Sequence, residues 1–357
     1  MVVSFRGLLK TERVCFVWPR KIMAQTGVSR ILSELGVLAN LLLLLSATST
    51  SVLVYVLGRM ILGVTNSTVT PTRWLVVTFL PLLIALYGLL RQSLNRSGAL
   101  LAVLVGVVLS LAHLSFLLSL LFFFFSSSRV TKYKAELKQR IEGDQFRVGG
   151  QRNWIQVLCN GGMATEVALA YLLEVGSADL PLDFARYYNA SWLSLAVLGS
   201  IACCNGDTWA SEIGSVWSQA PPRLITTGQI VPRGTNGAVS PMGLVVSGAG
   251  GLFVGLGYWL GIVLGGNPIL LQSAPAQWPV IVFGGLAGLL GSLIDSVLGA
   301  TVQFSGQHKR TGAIVEEPGP DVEPISGYAL MSNHGVNLLS SVLTGMLLPK
   351  IVLNFFV

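Results

Sequence analysis

Apolar stretches long enough to cross a bilayer recur along this chain, and they restrict its fold more than any other feature. A helix needs roughly 17 to 25 predominantly apolar residues to span a hydrocarbon core of about 30 Å. Residues 35–62, 74–90, 99–125, 154–175, 191–204, 242–264, 279–302 and 336–356 are the candidates. Seven or eight membrane segments are therefore expected. They must be helical, because lipid offers no partner to an unpaired backbone N–H or C=O. The predicted fold class is all-α, a polytopic transmembrane helical bundle with room for re-entrant segments. Residues 1–34 read as a basic N-terminal tail and residues 35–357 as a single integral membrane domain.

Composition agrees. Hydrophobic residues make up 52% and charged residues only 11% of the 357, a balance outside the soluble globular class. Cys15, Cys159, Cys203 and Cys204 form no CxxC pair and no zinc spacing, which argues against a disulfide framework or a structural metal. The net charge of +7 sits beside the apolar runs. That placement points to anionic lipid headgroups and the positive-inside bias rather than to nucleic acid.

Charge also poses a topological problem. If the N-terminus is inside, Arg91 and Arg96 fall inside, as the bias prefers, and the sequon Asn66-Ser67-Thr68 falls outside. A single crossing at 99–125 would then put Arg129, Lys132, Lys134, Lys138, Arg140, Arg147 and Arg152 outside, a poor fit. Either this run is a re-entrant pair broken near Gly106 or His113, or the N-terminus lies outside. By itself the run is too short for two full spans.

Ionisable and amide side chains within such apolar surroundings are functional candidates, because each costs several kcal/mol unless it faces a wet or paired interior. Residues 203–214 read Cys-Cys-Asn-Gly-Asp-Thr-Trp-Ala-Ser-Glu-Ile-Gly. On a helix, Asp207 stacks with Ser211 and Thr208 with Glu212, so carboxylates and hydroxyls gather at one end. Hard Mg²⁺ takes one or two carboxylates plus phosphate oxygens, and this is the chemistry the stretch suits; an interfacial helix start capped by Asp207 is the plainer alternative. Gly284, Gly288, Ser292, Asp295 and Gly299 form a small-residue stripe that would pack against a neighbouring helix and carry Asp295 into the contact. Asn153, Gln156 and Asn160 share one helix face, either as interhelical glue or as donors to phosphate. Pro222-Arg223 and the loop from Val231 through Arg233, Gly234, Thr235, Asn236 and Gly237 precede a span. Glycines and arginines before a helix start suit phosphate, although no Walker motif is present. Asn333 and Asn337 flank His334 at the mouth of the last span; His113 and His308 read as structural.

GDTWASEIG (206–214), PRLITTGQIVPRGTNGAVS (222–240), GGLAGLLGSLIDSVLGATVQ (284–303) and GGQRNWIQVLCNGG (149–162) together resemble the transmembrane protein 19 family. The resemblance runs from about Thr72 to Leu348, with the tail and residues 306–327 looking unconstrained. The broad family includes the plant plastid phytyl-phosphate kinase, so the resemblance implies phosphoryl transfer from a nucleoside triphosphate, CTP or ATP, to an isoprenyl monophosphate. Carried over, it implies Mg²⁺ held by Asp207, Glu212 and Asp295. It implies phosphates cradled by Arg223, Arg233, Asn160 and Asn337, with Lys132 or Lys134 assisting. The chain departs from the family at Asn333-His334, where members commonly carry two asparagines. Membrane lipids and an isoprenyl phosphate are the expected partners, and an endomembrane, foremost the endoplasmic reticulum, is the expected location. A transporter or channel whose intramembrane acids line an ion or solute path is the competing class; the inverted repeats usual in such proteins are not visible.

Overall fold

The computed structural model describes residues 71–133 and 150–357, together with Ser46, Thr50 and Val69. The basic tail and its boundary at residue 34, nearly all of the run 35–62, Asn66 and Lys134 lie outside the described residues. The chain divides into two units, Met1–Leu42 and Leu43–Val357, and every described residue belongs to the second.

The helices of this unit are α1 (Pro71–Leu90), α2 (Arg96–Ala112), α3 (Leu114–Lys132), α4 (Trp154–Glu174), α5 (Tyr188–Trp209), α6 (Pro241–Gly265), the short α7 (Pro268–Ser273), α8 (Pro279–Val302) and α9 (Asn333–Val352). Among the described residues, α1, α3, α6, α8 and the segment Asn333–Phe355 are long and apolar enough to cross a membrane, and α2 is a shorter apolar helix. Five of the expected crossings meet this measure among the described residues, α4 and α5 do not, and the first expected run lies outside the described residues. Helix α5 is instead the centre of the bundle. From Ser194 to Gly206 every residue is buried, and most of them are Ala, Ser, Gly or Cys, small enough to admit neighbours on all sides.

Glycines bring α5, α6 and α8 into backbone contact. A Cβ on Gly288 would lie 2.6 Å from Ser247 O on α6, one on Gly284 2.7 Å from Gly251 O, and one on Gly206 2.6 Å from Gly288 O. The stripe expected on α8 therefore packs as anticipated, and Gly299 extends it to the loop at Gly237, whose N lies 3.0 Å from a Cβ built there.

The run 99–125 is neither one crossing nor a short re-entrant dip within its own bounds. It breaks at His113, and α2 and α3 continue beyond it at both ends because Arg96, the serines 126–128 and Arg129 remain helical despite their polarity. His113 is the C-cap of α2 and the N-cap of α3; its Nδ1 accepts from Ser115 N at 3.0 Å and its Nε2 faces Leu180 O at 3.1 Å. Asp179 Oδ1 takes Leu114 N–H at 2.6 Å and pairs with Arg73 at 3.0 Å. With Nδ1 occupied as an acceptor, the imidazole is the neutral Nε2–H tautomer, so its 3.4 Å approach to Asp179 is not an ion pair. At the opposite end Lys132 donates to Arg91 O and to Ser93 Oγ, and Arg152 N donates to Ser93 O at 3.0 Å. The reversal at His113 returns the chain to the face it left, so Arg129, Lys132 and Arg152 share a face with Arg91 and Arg96, and the charge conflict disappears.

Two small antiparallel sheets depart from the all-α expectation. Strands β1 (Arg223–Leu224) and β2 (Ala238–Val239) pair Leu224 with Ala238, while β3 (Ser305–His308) is flanked by β4 (Ile314–Val315) and β5 (Val322–Ser326). Residues 306–327, which looked unconstrained, build this second sheet, and Ser305 Oγ accepts from Asn236 N at 3.0 Å. The strands are too short to show an alternating pattern, and Pro324 interrupts the longest.

Two outcomes are expected. In sealed proteoliposomes, cysteines at Arg96 and Gln272, which sit at opposite ends of the bundle, react with a membrane-impermeant maleimide from opposite sides; modification of both from one side overturns this arrangement. Gly288→Val overpacks the α6–α8 contact and destabilises the detergent-solubilised protein by about 1–3 kcal/mol or more, read as a lowered midpoint of thermal unfolding.

Candidate functional site

The ends of α5 and α8 and the starts of α4, α6 and α9 surround a polar cavity of about 430 Å³ on the basic face. Each start is capped by its own sequence. Asn153 and Gln156 form a reciprocal capping box, with Asn153 Oδ1 accepting from Gln156 N at 3.0 Å and Gln156 Oε1 from Asn153 N at 3.1 Å. Ser240 Oγ accepts from Gly243 N at 3.1 Å ahead of Pro241, and Ser332 Oγ from Gly335 N at 3.4 Å. Gln156, Ser240, Gly243 and Asn333 all line the cavity, so three helix N-termini direct their partial positive charge toward it.

Asp207 and Asp295, on the packed helices α5 and α8, line the same cavity. Asp295 Oδ2 accepts from Ser340 Oγ at 3.1 Å. The Asn337 amide, oriented by its hydrogen-bond network, places its nitrogen 3.3 Å from the same oxygen and 3.0 Å from Asn333 O. Ser292 lines the wall one turn before Asp295. Asn205, one layer deeper, is held at both ends of its amide: Oδ1 accepts from Ser126 Oγ at 2.9 Å and Nδ2 donates to Gly250 O at 2.8 Å. That brace joins α3, α5 and α6 beneath the acids.

Beyond Trp209 the helix widens into a π-helical turn, Ala210–Gly214, which carries Ser211 and Glu212 along the cavity wall. Turns of this type concentrate at functional sites. Glu212 lines the same cavity as Asp207 and is a charge neighbour of Arg152. Among the described residues, no three of His, Cys, Asp or Glu gather closely enough to form a metal site by themselves.

The loop after β1 supplies Arg233, Gly234, Thr235, Asn236 and Gly237 to the wall. Gly234 (φ 89°) and Gly237 (φ 76°) adopt left-handed backbone that favours glycine. Arg233 donates to Ser215 O at 2.9 Å and Ser218 O at 2.6 Å, tying the loop to the end of the α5 extension. Thr235 is buried and donates to Pro232 O at 2.8 Å.

Of the residues singled out from sequence, Asp207, Glu212, Asp295, Asn160, Gln156, Ser211, Arg233, Gly234, Thr235, Gly237, Ser292, Asn333 and Asn337 line this one cavity. Two do not. Arg223 is exposed, and its guanidinium donates to Gly228 O at 2.8 Å, because the β1–β2 pairing turns it outward. Lys132 is spent on Arg91 O and Ser93 Oγ at the end of α3. Gln156 lines the wall, but its oxygen belongs to the capping box. His334 is not among the lining residues, so the departure at that position leaves the cavity wall intact.

Arg152 was missed as a site residue and counted only among loop charges. Its Nη1 donates to Ser128 Oγ at 3.0 Å, and it lies on the cavity wall. Burial draws its pKa down from the ordinary value while the Glu212 carboxylate opposes that shift. An arginine stays charged under either influence. Its place immediately before the Asn153 cap was the available signal. Asn236, Ser240 and Ser296 also line the wall.

No solved structure matches the chain. Among curated proteins it is similar to Protein PGR of Arabidopsis thaliana, 43% identical over 267 residues that cover 74% of this chain and 91% of the relative. It is also similar to an uncharacterized membrane protein, MJ0933, of Methanocaldococcus jannaschii, 24% identical over 72% of this chain and 84% of the relative. A third relative is Protein VTE6, chloroplastic, of Arabidopsis thaliana, 29% identical over 60% of this chain and 58% of the relative. A relative named as chloroplastic gives the endoplasmic-reticulum expectation no support; what holds is a multi-pass integral membrane protein. The model of the family described as integral membrane protein DUF92 matches residues 79–345, which contain nearly the whole bundle and every acid of the cavity, and the chain belongs to that family.

Proposed function

We propose that the protein is a membrane phosphotransferase that moves the terminal phosphoryl group of a nucleoside triphosphate onto an isoprenyl monophosphate. The observation that carries this reading is the composition of a single cavity: a carboxylate pair, Asp207 and Asp295, faces two arginines, a glycine-bearing loop and three helix N-termini. Phosphoryl transfer asks little covalent participation of a protein; it asks for positioning and for stabilisation of charge. The resemblance to the broad family that includes phytyl-phosphate kinase supports the same reading, while the name of the more similar relative, Protein PGR, states no reaction.

In this scheme an oxygen of the acceptor monophosphate attacks the γ-phosphorus of the triphosphate. The bond between γ-phosphorus and the bridging oxygen breaks, and a nucleoside diphosphate leaves as the isoprenyl diphosphate forms. Arg152 and Asn160 hold the acceptor phosphate, and the Gly234–Gly237 backbone with the start of α6 holds the donor's phosphates. Asn337 and Ser340 orient Asp295. The donor set at Asp207, Asp295 and Ser292 is all oxygen, which fits a hard divalent cation with two protein carboxylates. Mg²⁺, when bound, would neutralise charge on the phosphate oxygens. Asp207 and Asp295 are the residues that would hold it, and Glu212 serves as counter-charge to Arg152.

The test uses the purified full chain in detergent with Mg²⁺, labelled CTP or ATP and a panel of prenyl monophosphates. Transfer is expected, and Asp207→Asn or Asp295→Asn should lower kcat by about 100-fold or more, with Arg223→Gln nearly unchanged. Absence of transfer to every acceptor, together with metal-dependent flux in liposomes, would replace this reading with transport.

A further inference from the structure

A second space adjoins the cavity. Between α1, α2, α3 and α4 lies an apolar slot of about 70 Å³, walled by side chains such as Ile84, Ala102, Val105, Leu121, Phe123 and Val157. Only Arg152, Gln156 and Asn160 are polar among its lining residues, and the same three line the polar cavity. Gln156 and Asn160 lie one turn apart on α4, and Arg152 immediately precedes its Asn153 cap. The three together form a partition between the polar cavity and the apolar slot. Arg152 shows both characters: its guanidinium donates to Ser128 Oγ at 3.0 Å and stands 6.0 Å from the centre of the Phe123 ring.

We propose that the slot is the acceptor-chain subsite, holding the first carbons of a single-chain lipid phosphate while Arg152 and Asn160 take its phosphate. This inference rests on the phosphotransferase reading and names the acceptor's class: an amphiphile with one chain directly on the phosphate. A water-sized sphere needs about 10–15 Å³ of such space, so the slot admits roughly five carbon-sized groups and leaves the remaining chain in the bilayer. A two-chain phospholipid carries a glycerol branch beside its phosphate, which a slot of about 70 Å³ does not hold together with a chain. An acyl or prenyl chain in a membrane already lies in hydrocarbon, so the slot adds little affinity. It fixes the phosphate in line with the donor, which is the larger contribution to rate.

The experiment uses the purified full chain in detergent and a prenyl monophosphate bearing a photoreactive diazirine on its second or third carbon, with labelled residues mapped by mass spectrometry. Labelling of Val105, Leu121 or Val157 is expected. Unmodified prenyl monophosphate should compete it away, whereas the same concentration of inorganic phosphate or of phosphatidic acid should not. Two variants narrow the slot. At Gly161 an added methyl meets only the Val105 side chain, Cγ1 at 3.5 Å and Cγ2 at 3.9 Å, ordinary contacts, so Gly161→Ala keeps the fold; Ala102→Phe fills more space. Each should lower kcat/KM for a prenyl monophosphate, by about tenfold for the larger change, while binding of a fluorescent nucleotide is unchanged. Labels confined to outward-facing residues such as Leu75 and Leu83, with transfer intact, would overturn the subsite and leave the phosphotransferase reading standing. Competition by phosphatidic acid equal to that by prenyl monophosphate would identify an adventitious lipid and likewise overturn it. Slot labelling without transfer to any acceptor would sustain the lipid-phosphate subsite and remove the phosphotransferase reading.

Discussion

Three helix backbones touch at glycines, and the rest of the site follows from that contact. Where Gly206, Gly251 and Gly288 meet, no side chain separates α5, α6 and α8, so Asp207, next after Gly206, and Asp295, two turns beyond Gly288, open into one space. In lipid there is no hydrophobic gain from pressing apolar helices together; close packing and interhelical hydrogen bonds supply the cohesion. Asn205 provides such a bond in both directions, to Ser126 and to Gly250, just beneath the acids.

The polar end of the bundle is assembled differently from the polar cluster at the other end. Around His113, Asp179 and Arg73 the hydrogen bonds are internally satisfied: Asp179 accepts a backbone N–H and a guanidinium, and His113 bridges a helix start and a loop carbonyl. That cluster closes a turn. At the cavity, Arg233 and Thr235 likewise brace the wall, yet Asp207, Ser292 and the start of α9 still open into a volume large enough for phosphates. The contrast separates polar groups that build the scaffold from those that face its interior.

Much of this was legible in the sequence. The α8 stripe gave its packing face directly, since glycine at every fourth position has little use other than close approach, and the clustering of acids with a glycine-bearing loop marked the cavity. What failed did so for identifiable reasons. The break at His113 was one of two places named for it, and with no proline or glycine there the local sequence left it level with Gly106. Arg223 and Arg233 occupy similar local sequence, and strand pairing decides which faces inward. The pair Asn153 and Gln156 matched a capping box in plain view, and reading it would have assigned the glutamine oxygen to the helix start. Arg152 became a wall residue through tertiary contact with Ser128 and Glu212, which no local pattern encodes.

The hairpin has one more consequence, which concerns the bilayer rather than the protein. Helix α2, at 17 residues, rises about 25 Å, and α3, at 19, about 28 Å. Both fall short of a hydrocarbon thickness near 30 Å. Most of α2 is covered by its neighbours, but α3 keeps part of its surface outward, so acyl chains alongside it must shorten to match. Mismatch of a few ångströms costs only fractions of a kcal/mol per Å, yet it is enough to sort proteins among membranes. Helices α6 and α8, at 25 and 24 residues, rise about 37 and 36 Å, so a bilayer that fits the hairpin requires them to tilt, and the depth at which headgroups meet the basic rim varies with lipid chain length.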